Sequence, residues 1–311
     1  MFSQPPITDA HYSWDDRWAQ LPDDVVWGIT HGVDLDPQGN VYVLHTVHET
    51  SRCRDAVCVF APDGSFIRSW GAEFQGSAHG LQLCREGKQT IAYITDLRRG
   101  LFKVTLDGEV IWHVAKLTFY KSRMHLAYQP TNVAVVPNGD IFLADGYGSY
   151  LIHRFDRDGR ELDVFGGPGK STSHLTHPHG LLYTERRGQP ELLVAENINT
   201  RLNYLSLEGV HQGLLEVETR RPRHFREYEG VLVMPDFYGR VTLIGADDRL
   251  LGHLGDTWRG HDHVATLEAS PPARGFIRPH DAAADAHGNL YITECLSMGR
   301  VLKLSRKVTA T

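Results

Sequence analysis

One block recurs along this chain, and its period decides the fold. The clearest copy runs Thr131-Asn132-Val133-Ala134-Val135-Val136-Pro137-Asn138-Gly139-Asp140-Ile141-Phe142-Leu143-Ala144-Asp145-Gly146-Tyr147. It reads as an apolar strand, a turn, a second apolar strand and then Asp-Gly. Asn138-Gly139 between two apolar runs is a strong hairpin signal. A third alternating run, Tyr150 to Phe155, leads to the turn Asp156-Arg157-Asp158-Gly159 and a fourth run, Glu161 to Phe165. Copies begin at His31, His79, Thr131, His179, His224 and His280, a period of 45–56 residues. Four short strands per repeat of this length make a propeller blade, and six repeats make an all-β, six-bladed β-propeller. A β-sandwich pair or a β-helix accounts poorly for the period, and no helix-period segment competes. The chain, 1–311, is expected to form a single propeller domain. Residues 1–24 carry no repeat but hold Tyr12, Trp14 and Trp18, and are expected to form a closing segment.

Composition narrows the function classes. A hydrophobic share of 41% and a charged share of 23% are ordinary for a soluble globular protein. The net charge of −6 leaves no basic footprint for nucleic acid. No apolar run is long enough to span a bilayer. Met1-Phe2-Ser3-Gln4-Pro5-Pro6 lacks the basic and apolar regions of a secretion signal, so a cytoplasmic location is expected. Cys53, Cys58, Cys84 and Cys295 form no CxxC pair and read as buried or incidental thiols. The expected partner is a small-molecule or short peptide-like substrate, with neither nucleic acid nor membrane; the sequence leaves the oligomeric state open.

The unusual count is 18 histidines. In a propeller the innermost strand of each blade lines the central channel, and the residue opening it lies at one rim. Five of the six equivalent positions are histidine: His31, His79, His179, His224 and His280, with Thr131 as the sixth. A lone histidine in a sheet is usually a satisfied core or surface residue; recurrence at equivalent positions points elsewhere. His79, His179 and His280 fall on alternate blades, about 120° apart around a six-bladed ring. Three neutral imidazoles with a fourth position left open form the ligand set of a catalytic zinc. His31 and His224 are expected to line the pocket without ligating.

These residues resemble the peptidyl-α-hydroxyglycine α-amidating lyases, the lyase core of peptidylglycine amidating enzymes, which are six-bladed propellers of the NHL-repeat type. The resemblance rests on Gln129-Pro130-Thr131-Asn132-Val133-Ala134-Val135 with Asp145-Gly146-Tyr147, then Pro178-His179 and Pro279-His280-Asp281, and its repeats cover roughly residues 31–305. It implies a catalytic zinc on His79, His179 and His280. It also implies a structural calcium on the carbonyls of Val33 and Leu81 and the carboxylate of Asp281. Tyr147 matches a proton-transferring tyrosine; read without the family, it is a blade-surface aromatic. Two family arginines fall at Thr46 and Asn197, and a family methionine becomes Arg278. Arg278 is either a relocated catalytic cation or a rim residue. The stretch Arg221-Pro222-Arg223-His224 either is solvated or binds an acidic substrate. Gly148 stands where the family has a cysteine, in keeping with a reducing compartment.

The resemblance implies a lyase that collapses a carbinolamide to an aldehyde and an amide, with zinc stabilising charge on oxygen and Tyr147 relaying the proton. Three alternatives stand beside it. The same site serves a zinc hydrolase. A calcium-dependent lactonase-like propeller would need Asp, Asn and Glu where this chain has histidine. A non-catalytic NHL-type scaffold would not need three histidines on alternate blades.

Overall fold

The structure, a computed structural model, describes residues 6–115, 126–261 and 264–307. Six four-stranded antiparallel sheets follow one another around a ring. Their innermost strands are Thr30–Leu35, Ala78–Glu86, Asn132–Val135, Pro178–Thr184, Arg226–Tyr228 and Pro279–Ala284, for blades one to six. Blade three shows the pattern in full: Asn132–Val135, Ile141–Ala144, Leu151–Phe155 and Glu161–Gly166. Its first turn puts Gly139 at φ 93°, in the left-handed region that the Asn-Gly signal anticipates. The sixth blade takes its outer strand from the N-terminus. Tyr12–Asp15 pairs with Arg300–Arg306, Tyr12 opposite Arg306 and Asp15 opposite Lys303. Residues 1–5 of the closing segment lie outside the described residues.

The apolar core lies between blades rather than within each one. Val41–His45 shows why. Side chains alternate along a strand. Val41 and Val43 pack towards Tyr291 and Val301 of blade six. Tyr42 and Leu44 pack towards Leu81, Ile94 and Phe102 of blade two. Both faces are covered, so the strand is apolar on both. Six such clusters occupy the six blade-to-blade interfaces.

The channel histidines also differ from expectation in register. His31, His79, His179 and His280 are second in their strands, and each falls at a break in pairing register. A β-bulge re-aims a side chain. Here it turns each imidazole to the channel and lets the next residue, Asp281 in blade six, face inward too. Thr131 and His224 lie just ahead of their strands. Among the described residues no helix is long and apolar enough to cross a membrane.

Candidate metal centre and active site

The glycine after three of the four bulged histidines, Gly32, Gly80 and Gly180, brings the next blade close. A Cβ on Gly80 would stand 2.6 Å from the Thr131 carbonyl oxygen, and one on Gly180 would collide with the Arg223 carbonyl oxygen. Those two carbonyls anchor the imidazoles. His79 Nδ1 is 2.8 Å from Thr131 O, and His179 Nδ1 is 3.1 Å from Arg223 O. His280 Nδ1 is 3.0 Å from His31 O. A carbonyl only accepts, so each Nδ1 carries the proton and each Nε2 keeps its lone pair. A backbone carbonyl behind Nδ1 is the usual support of a metal-ligating histidine.

The three rings converge. Centroid separations are 4.9 Å for His79–His179, 4.8 Å for His79–His280 and 4.9 Å for His179–His280. All three are buried. Burial holds each in the neutral form: His79 is pushed down to about 3, and His179 and His280 lie well below the usual histidine value. Arg223 adds to the depression in all three. Neutral imidazoles with inward lone pairs can hold a metal ion.

His31 is closer to this group than expected. Ligand nitrogens of His31, His79 and His280 lie within 4.8 Å of one another, and His31 Nδ1 is 3.4 Å from His280 Nε2. Among the described residues this is the group of three whose ligand atoms lie that close together, and His179 falls outside it. The His179 ring nevertheless touches those of His79 and His280, and its Nδ1, like theirs, is anchored on a carbonyl.

Tyr147 completes the centre. Its hydroxyl lies 3.2 Å from His79 Nε2 and 3.0 Å from His179 Nε2. Burial pushes its pKa up, against the pull of Arg223, so the phenol is protonated at neutral pH. The loop carrying it is held by Asp145, which accepts from the Gln129 amide at 2.6 Å and from the Ser149 amide and hydroxyl at 2.7 Å each.

Other expected site residues take different places. Arg278 pairs with Glu268 at 3.2 Å beside the Phe237 ring. Thr46 accepts the Ile29 amide at 2.9 Å, and Asn197 donates to Pro222 O at 3.3 Å. His224 donates from Nδ1 to Asp281 Oδ1 at 2.6 Å. Asp281 Oδ2 accepts the Val33 amide at 3.1 Å, and Leu81 is fully buried.

Two further residues meet this centre: Arg223, read in the sequence only as part of a solvated or acid-binding stretch, and His177, which the sequence reading passed over. Arg223, 6% exposed, donates to the Tyr147 hydroxyl at 3.1 Å and stacks 3.9 Å from the Phe237 ring centre. Its Nε has no partner among the described residues. His177 packs 4.6 Å from the Tyr147 ring, with φ 60° and a pKa pushed down to about 3 by burial and Arg223. A non-glycine residue held there is strained, a frequent mark of a working site; the His-Pro-His sequence was the available signal.

Together these features define a class: a six-bladed propeller with an imidazole cluster and a phenol at one end of its channel. No family model matches the chain. It is similar to peptidyl-glycine alpha-amidating monooxygenase B of Xenopus laevis, 26% identical over 322 residues, covering 91% of this chain and 34% of the frog protein. It is similar to peptidyl-alpha-hydroxyglycine alpha-amidating lyase 1 of Drosophila melanogaster, 24% identical over 328 residues, covering 91% of this chain and 58% of the fly protein. The chain thus spans about a third of the frog protein and rather more than half of the fly one. Among solved structures, a gluconolactonase from Xanthomonas campestris has a TM-score of 0.62 at 16% identity, over 92% of this chain and 88% of that one. A virginiamycin B lyase from Staphylococcus aureus has a TM-score of 0.59 at 10% identity, over 94% and 99%. At such identities the structural likeness is one of fold.

Proposed function

We propose that this chain is a zinc-dependent lyase that breaks the C–N bond of a small carbinolamide, an amide whose nitrogen bears a hydroxylated carbon. One observation carries the reading: three imidazoles converge with Nδ1 anchored and Nε2 turned inward, against the hydroxyl of Tyr147. His79, His179 and His280 would hold the ion. When bound, zinc supplies a Lewis acid that draws charge from a substrate oxygen.

The chain's own residues manage the proton. Tyr147 receives the proton of the substrate hydroxyl and passes its own to the departing nitrogen. The C–O bond becomes a carbonyl, the C–N bond breaks, and the products are an aldehyde and an amide. Water is neither consumed nor formed. Arg223 stabilises negative charge on the tyrosine oxygen during the relay and supplies a cation that Thr46 and Asn197 do not. Arg278, paired with Glu268, belongs to the rim. His31 and His177 shape the pocket wall. A reducing compartment and a small-molecule or short peptide-like substrate complete the proposal; all four cysteines are free.

The test is turnover of a panel of carbinolamides, in which the hydroxylated carbon is bonded to the amide nitrogen, by the zinc-loaded protein, with products identified by mass spectrometry. Equimolar amide and aldehyde are expected. A carboxylic acid released from an amide or a lactone would establish the hydrolase reading instead.

A further inference from the structure

The second metal implied by the resemblance finds a poor site here. Calcium takes about six to eight oxygen ligands at roughly 2.3–2.6 Å, carboxylates foremost. Among the described residues four carboxylates stand on the innermost strands; Glu86 is taken up by Lys103 and Glu227 by Thr184. Of the other two, Asp281 already accepts three donors, and Asp34 accepts two and is paired with the Arg226 guanidinium. Asp281 Oδ1 accepts His224 Nδ1 at 2.6 Å and the Ala282 amide at 2.7 Å, and its Oδ2 accepts the Val33 amide at 3.1 Å. It is thus the N–H of Val33 that meets this carboxylate, and an N–H cannot ligate a cation. Asp34 Oδ2 accepts the Leu83 amide at 2.8 Å and lies 3.0 Å from Arg226 Nη2, while Oδ1 accepts the Leu35 amide at 2.8 Å.

We propose that the guanidinium of Arg226 is the cation that ties this channel together, and that the chain does not use the calcium ion its resemblance implies. Arg226 reaches from blade five to Asp34 of blade one, and its Nε lies 3.4 Å from the Ala282 carbonyl of blade six. Asp34 passes the link to Leu83 of blade two. A second link runs from His224 of blade five through Asp281 of blade six to Val33 of blade one. Four of the six blades are joined by these two chains of bonds. Only 3% of the Asp281 side chain and 8% of the Asp34 side chain is exposed, so both carboxylates require compensation, and Arg226 and His224 provide it. A dication placed there would face a guanidinium that is always charged and would have to displace donors already in place. This inference is independent of the catalytic reading, because it concerns the other metal.

The test uses the full chain, zinc-loaded and dialysed into calcium-free buffer that contains zinc. Metal content is measured by mass spectrometry, and melting is followed with and without about 5 mM calcium, above the dissociation constants of even weak calcium modules. The expected result is a substoichiometric trace of calcium and the same melting temperature in both buffers. Arg226→Met, which keeps the length and removes the charge, is expected to melt at least about 5 °C lower, since it leaves Asp34 buried and unpaired. Arg226→Lys should fall between the two. Near-stoichiometric calcium after dialysis, or a melting temperature that rises with calcium, overturns the proposal. So does an Arg226→Met protein that melts with the wild type. Should that variant fail to fold, the calcium measurements on the wild-type chain decide alone.

Discussion

At Tyr147 one phenolic proton faces two imidazole lone pairs and one guanidinium. That arrangement separates metal binding from proton transfer. Tyr147→Phe removes the proton relay and leaves all three imidazoles anchored. It should keep full zinc content while the turnover number falls about 10²–10⁴-fold; a variant that loses zinc would show the tyrosine to be structural. Arg223→Met should likewise keep its metal and lose rate, with Arg223→Lys recovering part of it, because a lysine keeps the charge but not the fork. The tyrosine was legible in the sequence as part of Asp145-Gly146-Tyr147. Arg223 was not, because it is 76 residues from Tyr147 and belongs to a stretch whose charge alone does not distinguish a solvated run from a buried one.

The strands explain how short motifs become a site. Four histidines occupy bulges, and no sequence pattern marked the bulges; the adjacent inward pair His280 and Asp281 was their only trace. A second device also went unread. The second strand of five blades ends in, or in blade three is followed at once by, a buried acid: Asp96, Asp145, Glu196, Asp236 and Glu294. Four of these pair with an arginine that opens the next strand or lies just before it: Arg99, Arg201, Arg240 and Arg300. Asp145 instead gathers backbone amides around the Tyr147 loop, and Glu294 accepts the Ile277 and Arg278 amides just ahead of His280. Each acid was visible as a repeat feature, but its role depends on loops whose geometry the sequence does not state. Asp145→Ala should therefore lower turnover at least about tenfold through a misplaced Tyr147, with zinc content unchanged. Unchanged turnover would remove Asp145 from the positioning of the site.

Over the whole molecule, stability depends on faces shared between neighbouring blades. Leu44, fully buried between blades one and two, is a fair probe. Leu44→Ala should cost about 2–5 kcal/mol in denaturant unfolding; a cost below about 1 kcal/mol would mean that the interface closes over the gap. Proton uptake adds a second whole-molecule test on the metal-free protein. Burial lowers His45 to about 4 and His79 to about 3, against an ordinary value of 6.5. The unfolded chain binds protons that the folded one refuses, so this stability is complete above pH 6.5 and is lost as pH falls towards 4 and then 3. Each group contributes a slope of up to about 1.4 kcal/mol per pH unit, and a flat unfolding free energy from pH 7 to 5 would contradict it. The ring was readable from the repeat period alone, and residues 1–24 were readable as a closing segment, but not which of them, Tyr12–Asp15, form its strand. The central claim concerns which histidines hold the metal, and zinc content per chain tests it most directly across His31→Ala, His79→Ala, His179→Ala and His280→Ala. The account predicts about one zinc in the wild type and in His31→Ala, and a large loss in the other three. Zinc retained in His179→Ala but lost in His31→Ala would contradict it, as would a wild-type chain that takes up none.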